Sequence, residues 1–287
     1  MANNLKTVFL LGLLGGLFVG LGWLLGGQQG ALIALGFAVL FNFAMYWFSD
    51  KLAIRAARAK PASEQDLPAV YSIVRSLALR EEMPMPAIYV IESAQPNAFA
   101  TGRSPRHAAV AVTRGIVQMM TYAELEGVLA HELAHVKNRD ILISTIAATI
   151  GAAMSFLARV AFWGGMGRRN NNGAIGAIAG IAAIIIAPLT AMLIRLAISR
   201  SREYEADRSG ATTTGNPLAL AGALTKLDRG TAHIPMKVEP SVSTLFIADP
   251  FKSVSGKQRN QFSRLFATHP PISDRVERLS EMASGIR

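Results

Sequence analysis

His131-Glu132-Leu133-Ala134-His135, the run HELAH, is the stretch from which the rest of this 287-residue chain is read. Ahead of it, Thr121 and Glu124 stand in the T-x-x-E spacing of a capping box, which predicts a helix that begins there and carries the run. Residues four apart project from one face of a helix, so the imidazoles of His131 and His135 can reach a single ion. Glu132 flanks that face, placed to take a proton from a metal-activated water and pass it to a leaving amine. With only five histidines in the chain, a chance H-E-x-x-H match is improbable, roughly one in several hundred. The alternative is a helix with two surface histidines, and two features elsewhere weigh against it.

The first is a third ligand. Catalytic zinc sites commonly use three protein ligands and leave one position for water. Ser201 to Gly210 reads SREYEADRSG, with Glu203 and Asp207 four apart on one helical face. Glu203 can complete a His2Glu set for one Zn2+. Asp207, one turn on, can accept the outward N–H of a ligating histidine and fix its tautomer. Glu205 falls on the far side as a solvated charge.

The second feature is the arrangement of apolar blocks around the motif. Half of the chain is apolar, and the apolar residues are clumped in the pattern of an integral membrane protein. Val8 to Leu25 and Gly30 to Phe48 are each long enough to cross a hydrocarbon core as a helix. Two further blocks follow HELAH, Ile141 to Ala158 and Ala174 to Ile194, with a buried soluble hairpin as their alternative. If both cross, the chain returns to the face it left, and His135 and Glu203 can meet. Lys51, Arg55, Arg58 and Lys60 follow the second block, which by the positive-inside rule puts the termini and the active site in the cytoplasm and Gln28 outside. A cleavable signal peptide is the weaker reading of the first block, since only Lys6 precedes it and a second span follows at once.

The formal charge of +10 fits short cytoplasmic segments of a membrane protein. No basic stripe interleaved with aromatics and no finger or helix-turn-helix spacing supports a nucleic-acid partner. The absence of cysteine excludes a disulfide framework and cysteine ligation of a metal. No motif bears on oligomeric state.

Outside the apolar blocks, Asp66 to Leu79 reads as an amphipathic helix, and Ala87 to Ile91 and Ala108 to Val112 as strands. Asn97 to Gly102 leads into the turn Arg103-Ser104-Pro105-Arg106, which suggests a hairpin. Asp228 to Thr268, rich in Ser, Pro, Gly and Lys, reads as a long excursion, a mobile flap. The expected organisation is an N-terminal transmembrane hairpin over 1–49 and a first protease part over 50–140. A second transmembrane or membrane-associated hairpin follows over 141–198, and a second protease part over 199–287. The fold class is an α-rich integral membrane protein, four transmembrane helices with a cytoplasmic α+β zincin-type domain containing a small β-sheet.

NAFATG at Asn97 to Gly102, HELAHVKNRD at His131 to Asp140, SREYEAD at Ser201 to Asp207 and THPP at Thr268 to Pro271, in this order among the apolar blocks, resemble the HtpX family of bacterial heat-shock membrane proteases. That family belongs to a larger zinc peptidase group that includes the CAAX prenyl proteases. The resemblance implies zinc endopeptidase activity on the cytoplasmic side of the bacterial inner membrane, acting on misfolded or damaged membrane proteins and unfolded polypeptides. It also implies Glu203 as the third ligand. Segment 97–102 is expected to form an edge near the cleft, where an extended substrate adds as a strand. Asn97, Ala98 and Phe99 are then the substrate-facing candidates, and an ordinary hairpin strand is the alternative. His269 could approach the cleft and stabilise an oxyanion, or His269-Pro270-Pro271 could simply position a C-terminal amphipathic helix from Ile272 to Met282. A CAAX-type processing protease and a non-catalytic scaffold with a structural metal are the competing functions. The first calls for more spans, and the second has no use for Glu132.

Overall fold

The first 48 residues carry one charge, Lys6, and they form a helical run, α1 (Ala2–Ala56), that breaks at Gly26 and Gly27. Gly27 lies at φ 60° and ψ −144°, a conformation open essentially to glycine alone. There the run folds back as a helical hairpin. The arms touch closely: a Cβ on Gly22 would fall 2.4 Å from the carbonyl oxygen of Gly30. Phe18 meets Phe37 and Phe41 edge-on across the hairpin, and Asn42 Nδ2 donates to Leu11 O at 3.0 Å.

This computed structural model describes residues 2–142, 144–146, 148, 200–238, 240–253 and 270–285. Among them, Gly26–Ala56 is the one helix long and apolar enough to cross a membrane. Its Leu32, Ile33 and Leu40 side chains are exposed, an arrangement that lipid satisfies and water does not. The expected fourth span lies outside the described residues, and so does the third except at its start, where 141, 142, 144–146 and 148 are helical.

Four strands make one mixed sheet: β1 (Lys60–Pro61), β2 (Ala87–Ile91), β3 (Ala98–Gly102) and β4 (Ala108–Thr113), in the order β1-β2-β4-β3. β3 and β4 form the expected antiparallel hairpin. β4 returns parallel to β2, and β1, which the sequence did not announce, pairs antiparallel on its far side. Side chains alternate between two cores. Ala98, Ala100, Ala108, Val110 and Val112 join the larger one. Phe99, Ala109, Ala111 and Ile91 join the smaller. Both faces are covered, which is why β4 reads as a continuous apolar run.

The larger core is closed by α2 (Pro68–Arg80), α4 (Tyr122–Lys137), α6 (Pro217–His233) and α7 (Ile272–Ala283). The short α3 (Arg114–Met119) follows β4, and α5 (Arg200–Thr214) packs along α4. On the opposite face, Ala53, Ile54 and Ala57 at the end of the membrane helix pack with Met236, Val242, Leu245 and Phe246.

That second layer corrects one expectation. The excursion read as a flap from Asp228 is helix to His233, and Phe246, Ile247 and Ala248 beyond it are buried. Gln95 Nε2 clamps it by donating to Ile234 O at 2.6 Å and Pro250 O at 2.9 Å. The polar composition misled because these partners lie far away in sequence. Residues 254–269, including His269, lie outside the described residues.

Candidate metal centre

The capping box forms as expected: Thr121 Oγ1 accepts from the Glu124 backbone N–H, and the Glu124 carboxylate accepts from Thr121 N–H. It starts α4, and the helix carries His131, Glu132 and His135 into the interior. His131 and Glu132 are buried and His135 is partly so. α5 lies against this helix at Gly210, where a Cβ would fall 2.8 Å from His131 N and 3.1 Å from Ala130 C. Only a residue without a side chain permits that approach, and it brings Glu203 and Asp207 to the histidines.

Ligand atoms of His131, His135 and Glu203 lie within 4.8 Å of one another. Glu203 Oε1 is 3.5 Å from His135 Nε2, and Glu203 Oε2 is 3.8 Å from His131 Nε2. Two ligands about 2.0–2.1 Å from one tetrahedral ion stand roughly 3.4 Å apart, so the spacing suits donors around a shared cation. The opposite ring nitrogens are held by carboxylates. Asp207 Oδ1 is 2.9 Å from His131 Nδ1, and Asp140 Oδ2 is 3.3 Å from His135 Nδ1. With Nδ1–H donated outward, each Nε2 presents its lone pair inward.

Each of these carboxylates has an arginine behind it. Arg275, buried on α7, binds Asp207 through Nε at 2.8 Å and Nη2 at 2.7 Å. Arg202 Nη1 is 3.5 Å from Asp140 Oδ1. Burial alone would raise the Asp207 pKa, but Arg275 and the His131 contact outweigh it and lower it to about 2. Burial dominates at His131 and lowers its pKa to about 4 despite Asp207, so the ring is neutral at pH 7. At His135 burial is outweighed by the Asp140 hydrogen bond and the Glu203, Glu132 and Asp140 charges, which raise its pKa to about 9. Without a metal, a proton on His135 answers the surrounding carboxylates. Glu132, Asp140, Glu203 and Asp207 are four buried carboxylates facing two guanidiniums. With neutral imidazoles, carboxylates outnumber guanidiniums by two among these described residues, a balance that one divalent cation would restore.

Glu132 Oε2 accepts the Ala100 backbone N–H at 2.7 Å, so the carboxylate is oriented by the edge strand β3. That bond and others change the reading of Asn97, Ala98 and Phe99 as substrate-facing residues. Asn97 Nδ2 donates to Ala248 O at 2.8 Å, Ala98 O accepts from Ile247 N–H at 3.0 Å, and Phe99 packs edge-on against Phe246. All three are buried beneath segment 246–248. They tie the sheet to that segment, and the edge there is already occupied.

Sequence reasoning passed over Asp140, Arg202 and Arg275 as site residues. Asp140 returns to His135 because Arg139 takes a left-handed φ of 58° just past the helix end, a turn that the pattern N-R-D did not advertise. Arg275 left a usable trace. In ISDRVERLSEMA it shares the apolar stripe of Ile272, Val276 and Leu279, and a cation on the core-facing side of a helix requires a buried partner. Glu205 is exposed and paired with Arg208.

A model of peptidase family M48 matches residues 64–283. Among curated relatives, a protein named Protease HtpX homolog from Thermodesulfovibrio yellowstonii is 50% identical over 98% of this chain and 99% of its own. Its namesake from Pelotomaculum thermopropionicum is 48% identical over 98% and 99%, and that from Ralstonia pickettii 47% over 99% and 98%. Among solved structures, that of S. mikatae Ste24p matches 97% of this chain with a TM-score of 0.50 at 20% identity. The chain spans 65% of that protein's length, and the likeness is one of fold alone.

Proposed function

Because the chain belongs to peptidase family M48 and is a membrane metalloprotease, we propose that His131, His135 and Glu203 hold one zinc ion, and that the enzyme cleaves misfolded or damaged membrane proteins from the cytoplasmic side. Two imidazole nitrogens and one carboxylate suit zinc, whereas calcium and magnesium prefer oxygen donors throughout. The observation that carries the reading is the converging ligand set, beside which the described buried carboxylates outnumber guanidiniums by two. The bound ion would supply Lewis acidity, making water nucleophilic at neutral pH and polarising the scissile carbonyl.

The residues supply the rest. Asp207 and Asp140 fix the tautomers of His131 and His135, Arg275 keeps Asp207 ionised, and Arg202 stands behind Asp140. Glu132, aimed by Ala100 N–H, takes the proton from the attacking water and delivers it to the nitrogen as the C–N bond breaks. An extended substrate can pair only with the remainder of β3, from Ala100 O onward, since Ile247 and Glu132 occupy the groups before it.

Orientation follows from Lys51, Arg55, Arg58 and Lys60 after the membrane helix. Single cysteines at positions 28 and 63 test it, because the chain has none of its own. An impermeant thiol reagent should label intact cells at 28 and not at 63, and the reverse would overturn the assignment. For the chemistry, Glu132→Gln should retain metal and lose cleavage of an unfolded protein, and in cells it should trap uncleaved membrane proteins. Cleavage surviving in a metal-loaded variant would remove Glu132 from its role.

A further inference from the structure

A cavity of about 770 Å³, lined by none of the metal-centre residues, opens at the last turn of α4. Its walls are the end of α2 with the following turn (80–84), the β3–β4 connector (104–106), and Lys137 with Arg139. Four cations and two carboxylates line it. Arg80 is engaged by Glu126 at 3.3 Å, and Lys137 by Glu81. Arg106 and Arg139 are exposed and make no ion pair among the described residues. Glu82 is the other carboxylate of the lining.

Two of the three walls stand beside apolar segments. Arg103, next to Ser104, lays its guanidinium 4.5 Å over the Trp47 ring near the end of the membrane helix and donates to Trp47 O at 3.4 Å. Thr101 on β3 meets Thr145 at 2.8 Å, just beyond the start of the third apolar block. Arg139 stands two residues before Ile141, where that block begins. Two unengaged guanidiniums thus face a cavity of ligand size beside the ends of two apolar segments.

We propose that this cavity binds the phosphate of an anionic phospholipid headgroup, with Arg106 and Arg139 as its two ligands. Guanidinium forks match phosphate oxygens in pairs, and basic pockets at the cytoplasmic ends of membrane helices suit anionic headgroups. The proposal rests on the reading of α1 and of the block from Ile141 as membrane-inserted with their basic ends in the cytoplasm.

The test uses full-length, metal-loaded protein in neutral detergent, with phosphatidylglycerol and phosphatidylcholine titrated and counted by native mass spectrometry. Wild type should take up phosphatidylglycerol in preference. Arg106→Gln with Arg139→Asn should weaken it roughly 30-fold, from two cations each worth about 1 kcal/mol beside an anionic lipid. Asparagine tolerates the positive φ at 139, and retained metal reports an intact fold. Arg106→Gln alone should cost roughly fivefold on the same scale, and it decides the matter if the double variant misfolds. The control, Arg55→Gln with Arg58→Asn, removes two membrane-side charges outside the cavity and should change binding less than about twofold, since in detergent it lies beyond the ligand's reach. Equal losses in both double variants, or no loss at the cavity, would overturn the site. Displacement of bound lipid by millimolar glycerol 3-phosphate would assign it to a soluble phosphate ester and overturn the lipid proposal. Failure of the membrane reading looks different: protein soluble without detergent that floats with neither neutral nor anionic vesicles.

Discussion

Replacing Arg275 by methionine removes a guanidinium from a position with no exposure while leaving its partners, Asp207 and Glu203, at 5% and 7% side-chain exposure. The shape of the stem is kept, so the loss is chiefly of charge and hydrogen bonds. Two bonds to Asp207, at 2.7 and 2.8 Å, put the charge centres roughly 4 Å apart, worth about 4 kcal/mol at an effective dielectric of 20. Breaking buried pairs by removing one partner costs about 3–5 kcal/mol, in the same range. At about 2–4 °C per kcal/mol for a domain of this size, the melting temperature should fall by roughly 6–20 °C. The sign of the metal effect follows from the charges. Without Arg275 the described carboxylates outnumber guanidiniums by three, so bound cation should recover part of the loss and metal-free protein should suffer more. Combining Arg275→Met with Asp207→Asn removes both charges of the pair, and the double variant should lose less than the two singles summed. Thermal unfolding in detergent of the four proteins, with and without metal, completes the cycle. A single-variant loss under about 1 kcal/mol, equal in both metal states, would refute the buried-network argument.

Within the ligand set, Glu203→Ala should lose the metal, Asp207→Ala and Asp140→Ala should each weaken it by roughly 10–100-fold, and Glu205→Ala should leave metal content unchanged. Metal analysis at matched free zinc checks the ordering, and a Glu205 variant that strips the metal would contradict the helix register. Gly210→Val should force α5 away from α4 at His131 N and lower metal affinity while far-UV helicity persists. Unchanged affinity would show that the close approach is not what brings Glu203 to the histidines. Because His135 carries a proton in the metal-free site up to about pH 9, metal binding at pH 7 should release about one proton. Affinity should therefore rise with pH up to that value and then level. Calorimetry in buffers of differing ionisation enthalpy measures the proton count, and a count near zero would mean His135 is already neutral.

The sequence by itself determined what is local or periodic. A capping box, two histidines four apart and a second helix with Glu203 and Asp207 four apart are consequences of 3.6 residues per turn, and composition alone marks a helix fit for lipid. β2 and β4 were legible for the same reason, since a run alternating between two buried faces is written in adjacent residues. Tertiary structure decided what depends on distant partners. It put Asp140 behind His135 through a left-handed turn and set Arg275 against Asp207 across 68 residues. It also buried Asn97, Ala98 and Phe99 beneath segment 246–248, with Asn97 and Ala248 separated by 151 residues. A buried backbone must find hydrogen-bond partners wherever the fold supplies them. A polar loop composition cannot show that Gln95 and Asn97 will clamp it, because the energy that orders it resides in residues outside any local window.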